Sequence, residues 1–314
     1  MRGSDRPRSR SLLSIAMRIA DEVSRALAAG RPVLACESTI VTHGLPRPRN
    51  LQVAREAEAL VRSLGAVPAT IGVLDGEAVV GLSGAELERL ASATGAAKLS
   101  ARDLPVAAAT GLCGGTTVAA TAHLAHRAGI RVFATGGLGG VHRGASATFD
   151  ESADLPALAR LPIVVVSAGV KSVLDIPATL ERLETLGIPV AGYRTDAFPG
   201  FYVADSGHPV TQRVESPEQV ATAWRAAREL GLDAALLVAN PVPVEHQLPP
   251  AEHDAALADA LAALDATGIT GQDATPFLLQ RVRDATGDRS LEVNVAVYRN
   301  NMTLGARIAA ALAG

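Results

Sequence analysis

Short apolar runs rich in β-branched residues alternate along this chain with longer stretches whose apolar positions recur every three or four residues. The runs PVLACES, VPATIGVLDG, IRVFATGG, PIVVVSAG, PVAGYRT and AALLVANP read as strands. Between them, NLQVAREAEALVRSLG, SGAELERLA, TTVAATAHLAHRAG and IPATLERLETLG carry the helical spacing. Gly65, Gly129, Gly187 and Gly231 each follow a helical stretch and precede an apolar run. Glycine is favoured there because a left-handed residue ends a helix without a Cβ penalty. Strands that are apolar almost throughout need cover on both faces. The alternation therefore predicts an α/β fold, a single domain with a mostly parallel central sheet flanked by helices. No internal repeat or low-complexity linker divides the 314 residues, so the domain is expected to span residues 16–314. The Arg- and Ser-rich start, residues 1–15, is expected to be a disordered basic arm. Residues 275–314 read as helical, although NVAVYRNN within them is oddly polar for a tail helix.

Composition narrows the function. The net charge is -3 and aromatics make up 3%, which leaves neither a basic field nor stacking platforms for nucleic acid. No apolar run approaches the roughly 20 residues that span a bilayer, and the start lacks the apolar core of a signal peptide. Cys36 and Cys113 lie far apart with no metal-finger spacing. They suggest reduced thiols and a cytoplasmic location.

Ligands of open parallel sheets gather at the carboxyl ends of the strands. Four such ends are loaded here: Glu37, Ser38 and Thr39 after PVLAC, the loop GGLGGVHRG with His142 and Arg143, Lys171 after VVVSAGV, and Asn240 after LLVAN. Lys171 follows the buried run 163–166 and stands close to Gly169. Desolvation at such a place favours a neutral amine, which can attack a carbonyl. Glu37 follows an apolar lead-in, and partial burial would raise its proton affinity and suit it to proton donation. The helix start GGTTV offers free N–H groups to a phosphate, although an ordinary Gly/Thr cap reads the same. Asp150, Glu151 and Asp154 form an i, i+1, i+4 acidic group suited to a hard cation. The lysine alone fits a Schiff-base lyase acting on some other phosphosugar. Without turnover, the same chain reads as a phosphosugar-binding regulator.

Taken together, these segments resemble the pseudouridine-5'-phosphate glycosidase family, related to indigoidine synthase A. ESTIVTHGLPRPRN, KLSARDL, GGTTVAAT, FATGGLGGVHRGA, FDESADL, VSAGVKSVLDIPATLE, GYRTDAFPGFY, NPVP and LEVNVAVYRNN carry the likeness, in order, from about Arg18 to Ala313. The resemblance implies cleavage of the C–C glycosidic bond of pseudouridine 5'-phosphate to uracil and ribose 5-phosphate, through a lysine Schiff base. It implies Lys171 as nucleophile and Glu37 as proton donor. Lys98, Thr117, Val118, His142, Ser152, Ala153, Asp154 and Asn294 are implied as substrate contacts, His142 toward the phosphate. Asp150 is implied as the ligand of one Mn ion, and the assembly as a homotrimer.

Overall fold

A computed structural model describes residues 17–269 and 274–314. The basic arm expected at residues 1–15 lies outside the described residues. Eleven strands form one sheet. In chain order they are β1 Met17–Ile19, β2 Val33–Cys36, β3 Val67–Leu74, β4 Glu77–Val80, β5 Ala97–Leu99 and β6 Gly114–Thr116. They continue with β7 Val132–Ala134, β8 Val164–Ser167, β9 Val190–Tyr193, β10 Gln212–Val214 and β11 Leu236–Ala239. The main path runs β1-β4-β3-β2-β7-β8-β11-β9-β10. From β3 to β10 every pairing on that path is parallel. β4 and β6 run antiparallel to β3, and β6 carries β5 beside it.

The six apolar runs became β2, β3, β7, β8, β9 and β11. Every residue of β2, β3, β8 and β11 is buried, as a sheet covered on both faces requires. The helical stretches fold as Arg49–Ser63, Gly84–Ser92, Val118–Arg127 and Ile176–Thr185. Gly65, Gly129, Gly187 and Gly231 all take positive φ just after a helix. The expected α/β sheet flanked by helices is what the chain builds. Among the described residues no helix is long and apolar enough to cross a membrane.

The last segment is two helices rather than one, Ala274–Ala285 and Arg289–Ala313. They part where Gly287 and Asp288 both take positive φ. The second, called the tail helix below, lies against β2, β7 and β8. Its residues Tyr298, Asn301, Met302 and Gly305 follow helical spacing and are all buried. A Cβ on Gly305 would stand 2.8 Å from Leu34 Cδ1 and 3.0 Å from Ala134 Cβ, so glycine permits this close approach. The polar tail motif is therefore part of the core.

Candidate active site

One cleft opens at the carboxyl ends of β2, β7 and β8, with the ends of β5 and β6 beside it. Lys171, Glu37, Lys98, Thr117, Val118, His142, Asp150, Ser152, Ala153 and Asp154 all line it. These are the site residues expected from the sequence, save Asn294.

Lys171 reaches the cleft on a turn that only glycine allows. Gly169 has φ +76, and a Cβ there would stand 2.4 Å from Pro199 O. The turn is laced to the loop after β7. Leu138 N donates to Gly169 O at 3.0 Å, and Lys171 N donates to Leu138 O at 3.1 Å. The lysine side chain stays half-buried, with its charge able to act on its neighbours. One of them is Glu37, only 8% exposed at the end of β2. Thr135 Oγ1 donates a hydrogen bond to Glu37 Oε1. Burial pushes the Glu37 carboxyl above the usual glutamate range, while the charge of Lys171 and the Thr135 bond draw it down. Asp154 adds to the rise and Lys98 to the fall. The result is a carboxyl that keeps its proton to higher pH than an exposed one, beside an amine.

The ends of β2 and β6 are joined by hydroxyls. Thr116 N donates to Ser38 Oγ at 2.9 Å, and Thr39 Oγ1 donates to Thr116 O at 2.7 Å. This fixes the start of helix Val118–Arg127, capped by Thr117, whose Oγ1 accepts from Ala120 N. The helix start expected to receive a phosphate already holds a carboxylate. Asp154, 6% exposed, accepts from Ala119 N and from Gly139 N, each at 2.9 Å. It clamps the helix start to the glycine loop, and the helix dipole favours its charge there.

The acidic trio does not act as one group. Val141 and Glu151 form an antiparallel bridge, and successive residues of an extended segment point to opposite sides. Glu151 accepts from Arg182 Nε at 2.8 Å, and Asp154 is the clamp just described. Asp150 remains, with Oδ2 3.7 Å from His142 Nδ1, too far for a hydrogen bond. Burial, with the charges of Lys98 and Lys171, outweighs the pull of Asp150 and holds His142 below the usual histidine range. Among the described residues no three His, Cys, Asp or Glu converge to chelate an ion.

Four expected residues stand elsewhere: Ser38 is fully buried in the hydroxyl link just described, Arg143 lines a separate hollow with Asp175 and His208, and Asn294 and Asn240 also lie off the cleft. Asn294 lies in an adjoining hollow with His43, Tyr202 and Ser290, its Oδ1 facing Gly136. Asn240 was expected on the rim but is 5% exposed, and it donates to Asn301 instead. Thr39, expected on the rim, lines the cleft, whereas sequence reasoning passed over Ser100, Arg102 and Asp103, which also line it. All three share the motif KLSARDL with Lys98. Its S-x-x-D spacing was the available signal: Asp103 Oδ2 accepts from Ser100 N at 2.8 Å, as a turn-initiating pair does.

The chain is 64% identical over 296 residues to the pseudouridine-5'-phosphate glycosidase of Saccharopolyspora erythraea, covering 94% of this chain and 98% of that protein. It is 58% identical to the glycosidase of the same name from Salinispora tropica, covering 99% and 97%. The crystal structure of the prealnumycin C-glycosynthase AlnA in complex with ribulose 5-phosphate superposes with a TM-score of 0.88 at 39% identity, covering 95% of this chain and 97% of that one. An indigoidine synthase A-like protein of Thermotoga maritima superposes with a TM-score of 0.86 at 38% identity, over the same shares. The family description "Indigoidine synthase A like protein" matches residues 22–311, and the chain belongs to that family.

Proposed function

We propose that this protein is a C-glycosidase that cleaves pseudouridine 5'-phosphate to uracil and ribose 5-phosphate. The observation that carries the reading is a half-buried lysine, Lys171, sharing a cleft with a buried carboxyl, Glu37, whose proton affinity is raised. The named relatives support it, since both a glycosidase and a C-glycosynthase work on a sugar–carbon bond.

Ordinary glycosidases protonate a departing heteroatom between two carboxylates. A carbon leaving group offers no lone pair, so a different handle is needed. Lys171 supplies it as a neutral amine that bonds to C1' as the C1'–O4' bond opens, the proton lost by its nitrogen passing to O4'. Breaking the C1'–C5 bond then leaves an imine between C1' and the lysine nitrogen. The bonding pair returns to the uracil ring, and C5 carries the proton that Glu37 delivers. Water hydrolyses the imine, which frees ribose 5-phosphate and the lysine.

The other cleft residues bind. Lys98 supplies the positive charge for the phosphate, and His142 donates one hydrogen bond to it. Thr117, Val118, Ser152 and Ala153 contact the sugar phosphate. Asp154 orders the helix start beneath it, and Asn294 donates to the base from the adjoining hollow. Asp150 offers one partly exposed carboxylate, with 34% of its side chain accessible. That donor suits a hard, mostly hydrated divalent ion such as Mn, which when bound supplies positive charge near the phosphate. The assembly in this reading is a homotrimer.

The direct test is incubation of the protein with pseudouridine 5'-phosphate and Mn, following uracil by chromatography. Free uracil and ribose 5-phosphate in equal amounts are expected. An intact substrate after prolonged incubation would overturn the reading.

A further inference from the structure

The buried amide of the tail helix touches no part of the cleft, yet its two backbone partners belong to the end of β7, one of the strand ends that build it. Asn301 is fully buried. Its Nδ2 donates to Thr135 O at 2.8 Å and to Gly136 O at 3.1 Å. Its Oδ1 accepts from Asn240 Nδ2 at 2.8 Å. Carbonyl oxygens only accept, so the two backbone partners decide which way the amide faces. Each partner leads onward. Thr135 Oγ1 holds the Glu37 carboxyl. Gly136 O also accepts from Ala168 N at 2.9 Å, in the turn that delivers Lys171. Asn240 N donates to Ser167 O at 2.8 Å, so the ends of β8 and β11 are joined as well.

We propose that Asn301 is a positioning residue for the reaction: from the tail helix it holds Thr135 and Gly136, and through them sets Glu37 against Lys171. The inference rests on the roles proposed for those two residues. A helix that needed only to pack would place an apolar side chain here, as at the neighbouring Met302, because a buried amide is costly unless every group is paired. Asn301 is paired throughout, and its two backbone partners at the end of β7 lie between the strands from which Glu37 and Lys171 leave the sheet. Gly305, one turn on along the same face, brings the helix close enough for this short side chain to reach the strand ends.

Removing the amide leaves Thr135 O without its Asn301 bond, so the residue's backbone is held only by its N–H bond to Val166 O at 3.0 Å and can tilt, which loosens its bond to Glu37. Glu37 is faced by Lys171, Lys98 and Asp154, with Cys36 and Tyr298 also within electrostatic reach. The Thr135 bond favours the ionised carboxyl, so its weakening raises the proton affinity of Glu37. The alkaline limb of the pH–rate profile should then move to higher pH.

The experiment compares Asn301→Leu, Asn240→Leu and the double variant with wild type. It measures kcat, KM and the pH profile on pseudouridine 5'-phosphate, with circular dichroism to confirm folding. Asn301→Leu should lower kcat by about 30-fold with KM changed less than about threefold, since a misplacement near 1 Å can cost on the order of a hundredfold. Asn240→Leu should cost less, about fivefold, and the double variant should be no worse than Asn301→Leu alone, because both act through one contact. Wild-type kcat and an unmoved alkaline limb in folded Asn301→Leu would overturn the proposal. Fully additive losses would overturn it too. Should Asn301→Leu fail to fold, Asn240→Leu decides by the same two readouts. Glu37→Gln and Lys171→Ala run alongside: if they retain activity, the reading of the site fails and this inference with it. If they are inactive while both asparagine variants match wild type, the inference alone fails.

Discussion

Glu37 is poised by two opposed forces, the loss of water around its carboxyl and the attraction of Lys171 and the Thr135 hydroxyl. Burial is the larger, so the folded protein binds this proton more tightly than the unfolded chain does. The sign for stability follows from that difference. The proton-linked cost of burying Glu37 is zero while the carboxyl is protonated in both states. The cost grows as pH rises through the ordinary glutamate range and is full above the raised folded value. Glu37→Gln should therefore melt higher than wild type at alkaline pH, with the advantage shrinking toward acid pH in thermal scans. The same variant should lose at least about a hundredfold in kcat/KM and lose the alkaline limb, as removal of a general acid does. A Gln variant that kept wild-type activity would take the proton away from Glu37. At this scale the sequence was informative where a single residue follows an apolar run, as with Glu37 after PVLAC and Lys171 after VVVSAGV. It misled where several roles were packed into one short motif. The spacing of Asp150, Glu151 and Asp154 says nothing of Arg182 or of the N–H groups of Ala119 and Gly139, which come from elsewhere in the chain and divide the three acids.

The turn after β8 is the element on which the site depends most. Gly169 is held in a left-handed conformation against Pro199 O, and the next segment is laced to the loop 136–138. Gly169→Ala meets both the left-handed penalty of about 1–2 kcal/mol and the clash with a backbone oxygen. The turn must shift to accommodate it, and Lys171 moves with the turn. The expected result is a lowered melting temperature together with a fall in kcat of about tenfold or more, larger than any change in KM. Gly231→Ala is the control. Nothing stands within 4 Å of its Cβ, so it should lose stability without losing kcat. Equal kcat for the two variants would show that the turn does not place the lysine. Long apolar strands and their covering helices were legible because periodicity over many residues is a strong signal. The equally short β7 was legible within IRVFATGG, whereas β1, β4, β5, β6 and β10, only three or four residues long and standing in no longer apolar run, were not foreseen. β6 matters most among these, since it sets Thr117 at the cleft. The polar tail motif was noticed, but its reason was not legible, because its partners Thr135, Gly136 and Asn240 are distant in sequence.

For the whole molecule, a phosphate and an assembly remain to be measured. In the proposed reading Lys98 and His142 bind the phosphate, and because the helix start is already occupied by Asp154, recognition should rest chiefly on side-chain charge. Dephosphorylated pseudouridine should be on the order of a thousandfold poorer in kcat/KM, since a remote phosphate positions the sugar. Lys98→Met should narrow that gap more than His142→Ala does, which competition kinetics would show. Equal kcat/KM for the two substrates would remove the phosphate from the account. Phe149 is 87% exposed at positive φ beside Asp150, and light scattering should return a mass three times the 32.2 kDa chain if the homotrimer forms. The central claim, that Lys171 bonds covalently to the sugar carbon, is tested most directly by trapping. The protein is incubated with ribose 5-phosphate and sodium borohydride, then digested and read by mass spectrometry. The account predicts a reduced ribose 5-phosphate adduct on the peptide carrying Lys171, absent from Lys171→Ala. No adduct, or one carried equally by Lys98 and surviving in Lys171→Ala, would contradict it.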